Sequence, residues 1–315
     1  MRRILSLFLS LVLLTGLFSS CLTAEPKPSG DKPLVVATNF VLYDTAHTLA
    51  GDLADVRMLL PPGADAHEYE LTLADTALVA ESNFFLYIGG ESEDWVDDLF
   101  ASMKEEDRPK SFRALGTAVV RNEEAKEGMQ TDEDEEEEDA VDEHVWTSFE
   151  NLLGITEQID LGLCELCPKQ KDVLLERLDA YKEEVKEIRA AYRETVDGAA
   201  RRTLVFADRF PFLYLVKELG LDYYAAFSGC SSNVEASLAT IHFLVTKVQD
   251  EGIPAVFIIE LSDGKCAEAV ARETSCRILT LYSGHNVTPA EFEAGITYFD
   301  LLRRNLEALK TALNG

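Results

Sequence analysis

The sequence predicts an α/β fold of two lobes, each with a parallel-type sheet flanked by helices, joined by one long rigid α-helix, with a cleft between the lobes. Three observations predict it. From Pro33 to Gly90 short apolar runs alternate with helical patterns, the rhythm of a parallel sheet covered on both faces. The same rhythm returns between Thr203 and Leu313. Between the halves, Lys169 to Asp197 contains neither Gly nor Pro and places an apolar residue every three or four positions, which is a helix with one buried face. Of the 315 residues, 47% are hydrophobic and 9% aromatic, enough apolar surface for packed cores.

The elements follow in order. Met1-Arg2-Arg3, an apolar run from Ile4 to Leu14 and small residues up to Cys21 read as a secretory signal (1–21), too short for a transmembrane anchor. Leu17-Phe18-Ser19-Ser20-Cys21 resembles a bacterial lipobox, with Phe18 where such signals usually carry Leu. Cleavage would make Cys21 the lipid-modified N-terminus and residues 22–32 a flexible tether. An ordinary leader with an incidental cysteine is the alternative. No other segment reaches about 18 consecutive apolar residues, so anchoring would rest on lipid alone.

The N-terminal lobe, 33–167, begins with strands at Leu34–Thr38 and Asp55–Leu60 around a helix at Val41–Ala50. A helix at Leu73–Ala80 and a strand at Phe84–Ile88, closed by Gly89-Gly90, complete the pattern. The acidic loop 122–143 holds thirteen Asp and Glu against one Lys. With almost no apolar content it is expected to be disordered, either concentrating divalent cations near a site or serving as a solvated insertion. A helix begins near Trp146. Cys164 and Cys167 form a CxxC without a second ligand pair, which leaves a local disulfide or two free thiols at a helix end.

The linker helix occupies 168–198. Leu174, Leu178, Tyr181, Val185, Ile188, Tyr192 and Thr195 form an apolar seam along roughly 40 Å. The C-terminal lobe, 199–315, has strands at Thr203–Phe206, Ala255–Ile259 and Arg277–Leu281. Its helices are expected at Pro211–Leu219, Val234–Asp250, Lys265–Glu273 and Pro289–Leu313.

The 29 Lys and Arg against 57 Asp and Glu give a net charge of −28, and removal of the leader takes away two arginines and no acid. That balance excludes a binder of nucleic acid or of anionic membrane surfaces. No GxSxG, HExxH or Walker A sequence is present, so no nucleophile or phosphate cradle is indicated.

Five histidines can be weighed one by one. His47 and His242 fall inside amphipathic helices, where a packed or surface role suffices. His67, His144 and His285 are loop residues, and two of them follow the carboxyl ends of predicted strands. Open parallel sheets bind ligands at those ends, so residues from both halves can converge on the cleft. Asp208 and Glu260 share that address. Imidazoles with a carboxylate suit zinc, and manganese or iron as oxygen ligands increase.

Taken together, the motifs are similar to a known family. Leu60-Pro-Pro-Gly-Ala-Asp-Ala-His-Glu-Tyr-Glu70 with Leu73-Ala-Asp75, Asp142-Glu-His-Val-Trp146 and Phe206-Ala-Asp-Arg-Phe-Pro-Phe-Leu-Tyr214 resemble the three ligand motifs of the zinc and manganese solute-binding lipoproteins of bacterial ABC importers. Val234-Glu-Ala-Ser237 and Val256-Phe-Ile-Ile-Glu260 resemble later segments. The resemblance spans the mature chain, long helix included. It implies two α/β lobes with the metal between them, capture of zinc (or manganese or iron) outside the cytoplasm, and delivery to a permease and its ATPase by a lipid-anchored monomer.

The resemblance also implies His67 and His144 as the first two ligands. The family's third and fourth positions fall on Ala207 and Tyr282, neither of which can ligate in the usual way. His285 is expected to supply the missing imidazole and Asp208 the carboxylate, with Glu260 as the alternative carboxylate. A metal-dependent hydrolase with an open coordination position and a surface adhesin are the rival functions.

Overall fold

Leu34, Val35, Val36 and Ala37 are all buried, and a strand covered on both faces belongs inside a sheet clad by helices. In the computed structural model, which describes residues 32–67, 69–130, 140–231 and 235–315, β1 (Leu34–Ala37) is that strand. It lies between β2 (Asp55–Met58) and β3 (Phe84–Tyr87), and β4 (Lys110–Arg113) completes a parallel sheet of order β2-β1-β3-β4. A second parallel sheet has β5 (Thr203–Phe206), β6 (Asp222–Ala225), β7 (Ala255–Ile258) and β8 (Arg277–Thr280) in the order β6-β5-β7-β8. The signal peptide with Cys21, the tether up to residue 31, and Val234 lie outside the described residues. Among the described residues no helix is long and apolar enough to cross a membrane.

The helices form where their ends are satisfied. Asn39 caps α1 (Phe40–Ala50), its side-chain oxygen accepting from Leu42 N at 3.1 Å. Thr72 and Asp75 make a reciprocal capping box for α2 (Leu73–Glu81). After α3 (Trp95–Ser102), α4 (Phe149–Leu166) packs against α5 (Lys171–Asp197). The second lobe carries α6 (Leu213–Leu219), α7 (Leu238–Asp250), α8 (Lys265–Thr274), α9 (Pro289–Glu293) and α10 (Tyr298–Asn314).

α5 is the expected connecting helix, 27 residues long. Its buried seam is Leu174, Leu178, Tyr181, Val185, Ile188, Tyr192 and Val196. Val196 takes the place expected for Thr195, whose hydroxyl turns back to Ala191 O at 2.8 Å. Tyr181 meets Thr45 of α1 at 3.0 Å, and Tyr192 donates to Leu302 O of α10 at 2.6 Å. One rigid rod is thus bonded to both lobes.

Four expectations change. The strands β4 and β6 were not anticipated: they are edge strands with one buried face, and residues such as Lys110, Arg113 and Asp222 mask the alternation. The single helix expected over Pro289–Leu313 is two, because Gly295 at φ 70° ends α9 and Thr297 with Asp300 caps α10. The disorder expected over the whole of 122–143 does not hold for its described flanks. Asn122 bridges Val141, Gln130 bridges Phe227, and Lys126 and Glu127 pair with Asp222 and Lys247; residues 131–139 lie outside the described set. Cys164 and Cys167 are free thiols, not a disulfide. They point to separate acceptors, Asp160 Oδ2 at 3.6 Å and Leu53 O at 3.8 Å.

One buried acid in this frame has a measurable consequence. Asp44 of α1 accepts from Tyr298 N at the start of α10 (2.8 Å), and burial pushes its carboxyl up to about 6, with Asp300 adding to the effect. A raised carboxyl stabilises the fold below its unfolded value and loses that contribution as pH rises through about 6. In Asp44→Asn the fall in unfolding free energy between about pH 4 and pH 7 is expected to shrink by up to ~3 kcal/mol. Denaturant melts across that range check it.

Candidate metal centre

His67, His144 and His285 arrive on three separate loops, and each loop is held by local carboxylate chemistry. After β2 the chain turns at Pro61-Pro62-Gly63, where φ is +89° and only glycine is comfortable. Asp65 Oδ1 then accepts from His67 N at 3.0 Å. Ahead of His144, Asp142 Oδ1 accepts both His144 N (2.8 Å) and Nδ1 (3.1 Å). Both histidines therefore sit at the end of an Asp-x-His turn. After β8, Glu260 holds the loop carrying His285: its carboxylate accepts from Ser283 N (2.7 Å), Ser283 Oγ (2.5 Å), Gly284 N (3.0 Å) and His285 N (3.1 Å).

The loops are also bonded to one another across the cleft. Asn286 Nδ2 donates to Pro61 O and Ala64 O, each at 2.8 Å, and Gly63 N donates to Val287 O at 2.8 Å. Phe40 N and Val41 N, at the start of α1, donate to His285 O and Gly284 O.

The outcome is a triangle of imidazoles. Ring centroids are 5.8 Å apart for His67–His144, 5.3 Å for His67–His285 and 5.3 Å for His144–His285. One nitrogen from each lies within 4.8 Å of the others. Trp146 flanks His144 and His285 and donates Nε1–H to Ser283 O at 2.8 Å. The rings border a cavity of about 30 Å3, lined also by Asp65, Arg209 and Glu260, which has room for an ion and a water-sized ligand.

The electrostatics favour the neutral, ligating form at two of the three imidazoles. Burial, then the charges of His144 and Arg209, pushes His67 down to about 3. Burial, then His67, His144 and Arg209, pushes His285 well below its ordinary value. His144 differs: burial pulls it down, but the bond and charge of Asp142, with Glu143 and Glu123, outweigh that and raise it. Asp142 on Nδ1 leaves Nε2 to face an ion, the carboxylate–histidine–metal arrangement that orients a ligand and strengthens its basicity. Asp142→Ala is expected to weaken zinc binding about ten- to hundredfold, as read by competition with a chromophoric chelator.

Neither expected carboxylate joins the imidazoles, and the group of mutually close donor atoms contains only the three histidines among the described residues. Asp208 spends Oδ1 on Arg209 N (2.8 Å) and Oδ2 on Ile259 N (3.2 Å). Burial raises its carboxyl, opposed by these bonds and one from Ser262. Glu260 lines the cavity, but as the clamp of the His285 loop; its carboxyl is raised by burial against the bonds from Ser283 and His285. Ala207 is buried in the second sheet's core, and Tyr282 is bonded through its backbone to Asn305. His47 and His242 are exposed and far from chemistry, the former stacked on Tyr43. Sequence reasoning missed Asp142, Asp65 and Arg209 as parts of the site. The repeated Asp-x-His spacing marks the first two; nothing local marks Arg209.

Comparison with known proteins bears on this geometry. The family described as zinc-uptake complex component A, periplasmic (ZnuA), matches residues 35–312. The zinc-binding lipoprotein AdcA of Streptococcus pneumoniae (strain ATCC BAA-255 / R6) is 27% identical over 288 residues, 91% of this chain but 57% of AdcA, so the chain spans little more than half of that relative. The high-affinity zinc uptake system protein ZnuA of Bacillus subtilis (strain 168) is 26% identical, with 94% of each chain covered. Among solved structures, the Zn(II)-bound ZnuA-like domain of S. pneumoniae AdcA matches with a TM-score of 0.74 at 25% identity, covering 90% of this chain and all of that domain. The periplasmic zinc-binding protein TroA of Treponema pallidum shares the fold, with a TM-score of 0.75 at 22% identity over 90% of this chain and 100% of TroA.

Proposed function

Since the chain belongs to the ZnuA family of periplasmic zinc-uptake complex components, we propose that it is an extracytoplasmic solute-binding protein that captures zinc and hands it to an ABC importer permease driven by its ATPase. The observation that carries this reading is the triangle of three imidazoles, with ligand atoms within 4.8 Å of one another, closed between two lobes on a rigid helix. Nitrogen donors favour zinc over manganese, which prefers oxygen. The imidazoles of His67, His144 and His285 are the protein's ligands to the cargo; His67 and His285 are held in the neutral form by burial, while His144 gives up any proton it carries as the ion binds.

We read the site as one for binding without turnover because the family it belongs to is one of zinc-uptake components; three imidazoles with room for water leave metal-assisted hydrolysis as the rival that the ester assay tests. The mature chain acts as a monomer held to the outer face of the membrane by lipid on Cys21. Manganese or iron is the alternative cargo.

Metal analysis and calorimetry of the purified protein test the proposal. One zinc per chain, retained against manganese in excess and without hydrolysis of ester substrates, is expected. Preferential retention of manganese, or ester turnover dependent on the bound metal, would overturn it.

A further inference from the structure

Arg209 carries a charge into the cleft that neither the imidazole triangle nor the sheet requires. It is only 8% exposed. Its guanidinium reaches from the second lobe to the first, with Nη2 on Asp65 Oδ2 at 2.5 Å and Nη1 near Asp65 Oδ1 at 3.4 Å. That same Oδ1 accepts from His67 N. On the other side, Asp208 binds Arg209 N and also Ile259 N, just beyond the end of β7. An unbroken chain of bonds thus runs from the second sheet through Asp208, Arg209 and Asp65 to the backbone of His67.

We infer that the Arg209–Asp65 ion pair is the latch of the site, holding the His67 loop against the second lobe and setting how fast the ion leaves. This rests on the reading of His67, His144 and His285 as zinc ligands. Arg209 is a positioning residue, since it acts through Asp65 on His67. The latch has two properties that a neutral tie such as Asn286 lacks. A planar guanidinium engages both carboxylate oxygens, so the orientation of Asp65, and with it the His67 amide, is set in two dimensions. A cation beside the cavity also opposes the incoming charge, so the pair must stay neutralised by Asp65 while zinc is held. Opening the pair loosens the His67 end of the loop, which stays tied at Pro61–Ala64 by Asn286 and Val287, and exposes the ion to an unpaired guanidinium at the same time.

Stopped-flow release of zinc into excess chelator tests this with Arg209→Lys, Asp65→Asn and the double variant. Lysine keeps the charge but loses the two-pronged contact, and asparagine keeps an acceptor for His67 N while removing the ion pair. Each single variant should release zinc at least about tenfold faster, with association much less affected, because breaking a buried hydrogen-bonded charge pair acts on dissociation. The double variant should release no faster than the quicker single. Unchanged release in both singles, or effects that multiply in the double, would overturn the latch. Melting of the metal-free variants separates loss of the latch from loss of the fold: some lowering is expected from the broken buried pair, and release is compared at a temperature where each variant remains folded. Failure of the ligand reading is distinguishable, because the wild-type protein would then hold no zinc to release.

Discussion

His285→Ala is expected to weaken zinc binding about a hundredfold or more, as much as His67→Ala does. With only three protein donors found together among the described residues, loss of one leaves two, and a penalty of roughly 3 kcal/mol is close to two decades in affinity. Little offsets that loss. The His285 ring is held well below its ordinary basicity by burial and by its two partner imidazoles, so no proton competes with the ion at neutral pH. Asp208→Asn gives the contrast: its oxygens serve Arg209 N and Ile259 N, and a carboxamide oxygen retains one of those roles. Its effect on affinity should be several-fold, not a hundredfold. Titration calorimetry on both variants decides between them, and an unchanged affinity in His285→Ala would remove that residue from the ligand set.

Glu260→Ala should damage both stability and binding. The carboxylate is buried and accepts four hydrogen bonds from Ser283, Gly284 and His285. Its removal strands the buried N–H groups of Ser283 and Gly284 at about 1–3 kcal/mol each, while His285 N keeps Ser283 Oγ at 3.1 Å, an expected loss of roughly 2 kcal/mol or more. The loop would still hang from α1 through Phe40 N and Val41 N, so it loosens without detaching, and zinc affinity should fall at least about tenfold, as for other groups that orient a ligand. Glu260→Gln should not rescue, because its amide nitrogen faces donors. Denaturant melts with hydrogen exchange at Ser283–His285 check this. A variant with wild-type stability and protected amides there would show that the clamp does no such work.

Much of the fold was legible because its causes are local. Alternating apolar runs marked β1, β3, β5 and β7, and a glycine-free stretch with a three-four spacing marked α5, since burial of one face imposes that spacing wherever the helix ends up. The edge strands β4 and β6 were not legible. β4 offers only Phe112 to the core, β6 is short, and the exposed Lys110, Arg113 and Asp222 resemble loop residues. The acidic stretch misled for a related reason: its composition is that of a disordered chain, yet its flanks are tied by Asp222, Phe227 and Lys247 from the distant second lobe.

The site divides the same way. The sequence by itself points to His67 and His285, because each follows a strand end in a parallel sheet, and to His144 through the likeness of Asp142-Glu-His-Val-Trp146 to a ligand motif. Only the tertiary structure decides which carboxylates meet the imidazoles. Asp208 is turned away by an amide 51 positions along the chain, at Ile259. Asp65 is claimed by a guanidinium 144 positions away. A buried carboxylate goes where its hydrogen bonds are satisfied, and when the donors come from another loop or another lobe, no local pattern records the choice.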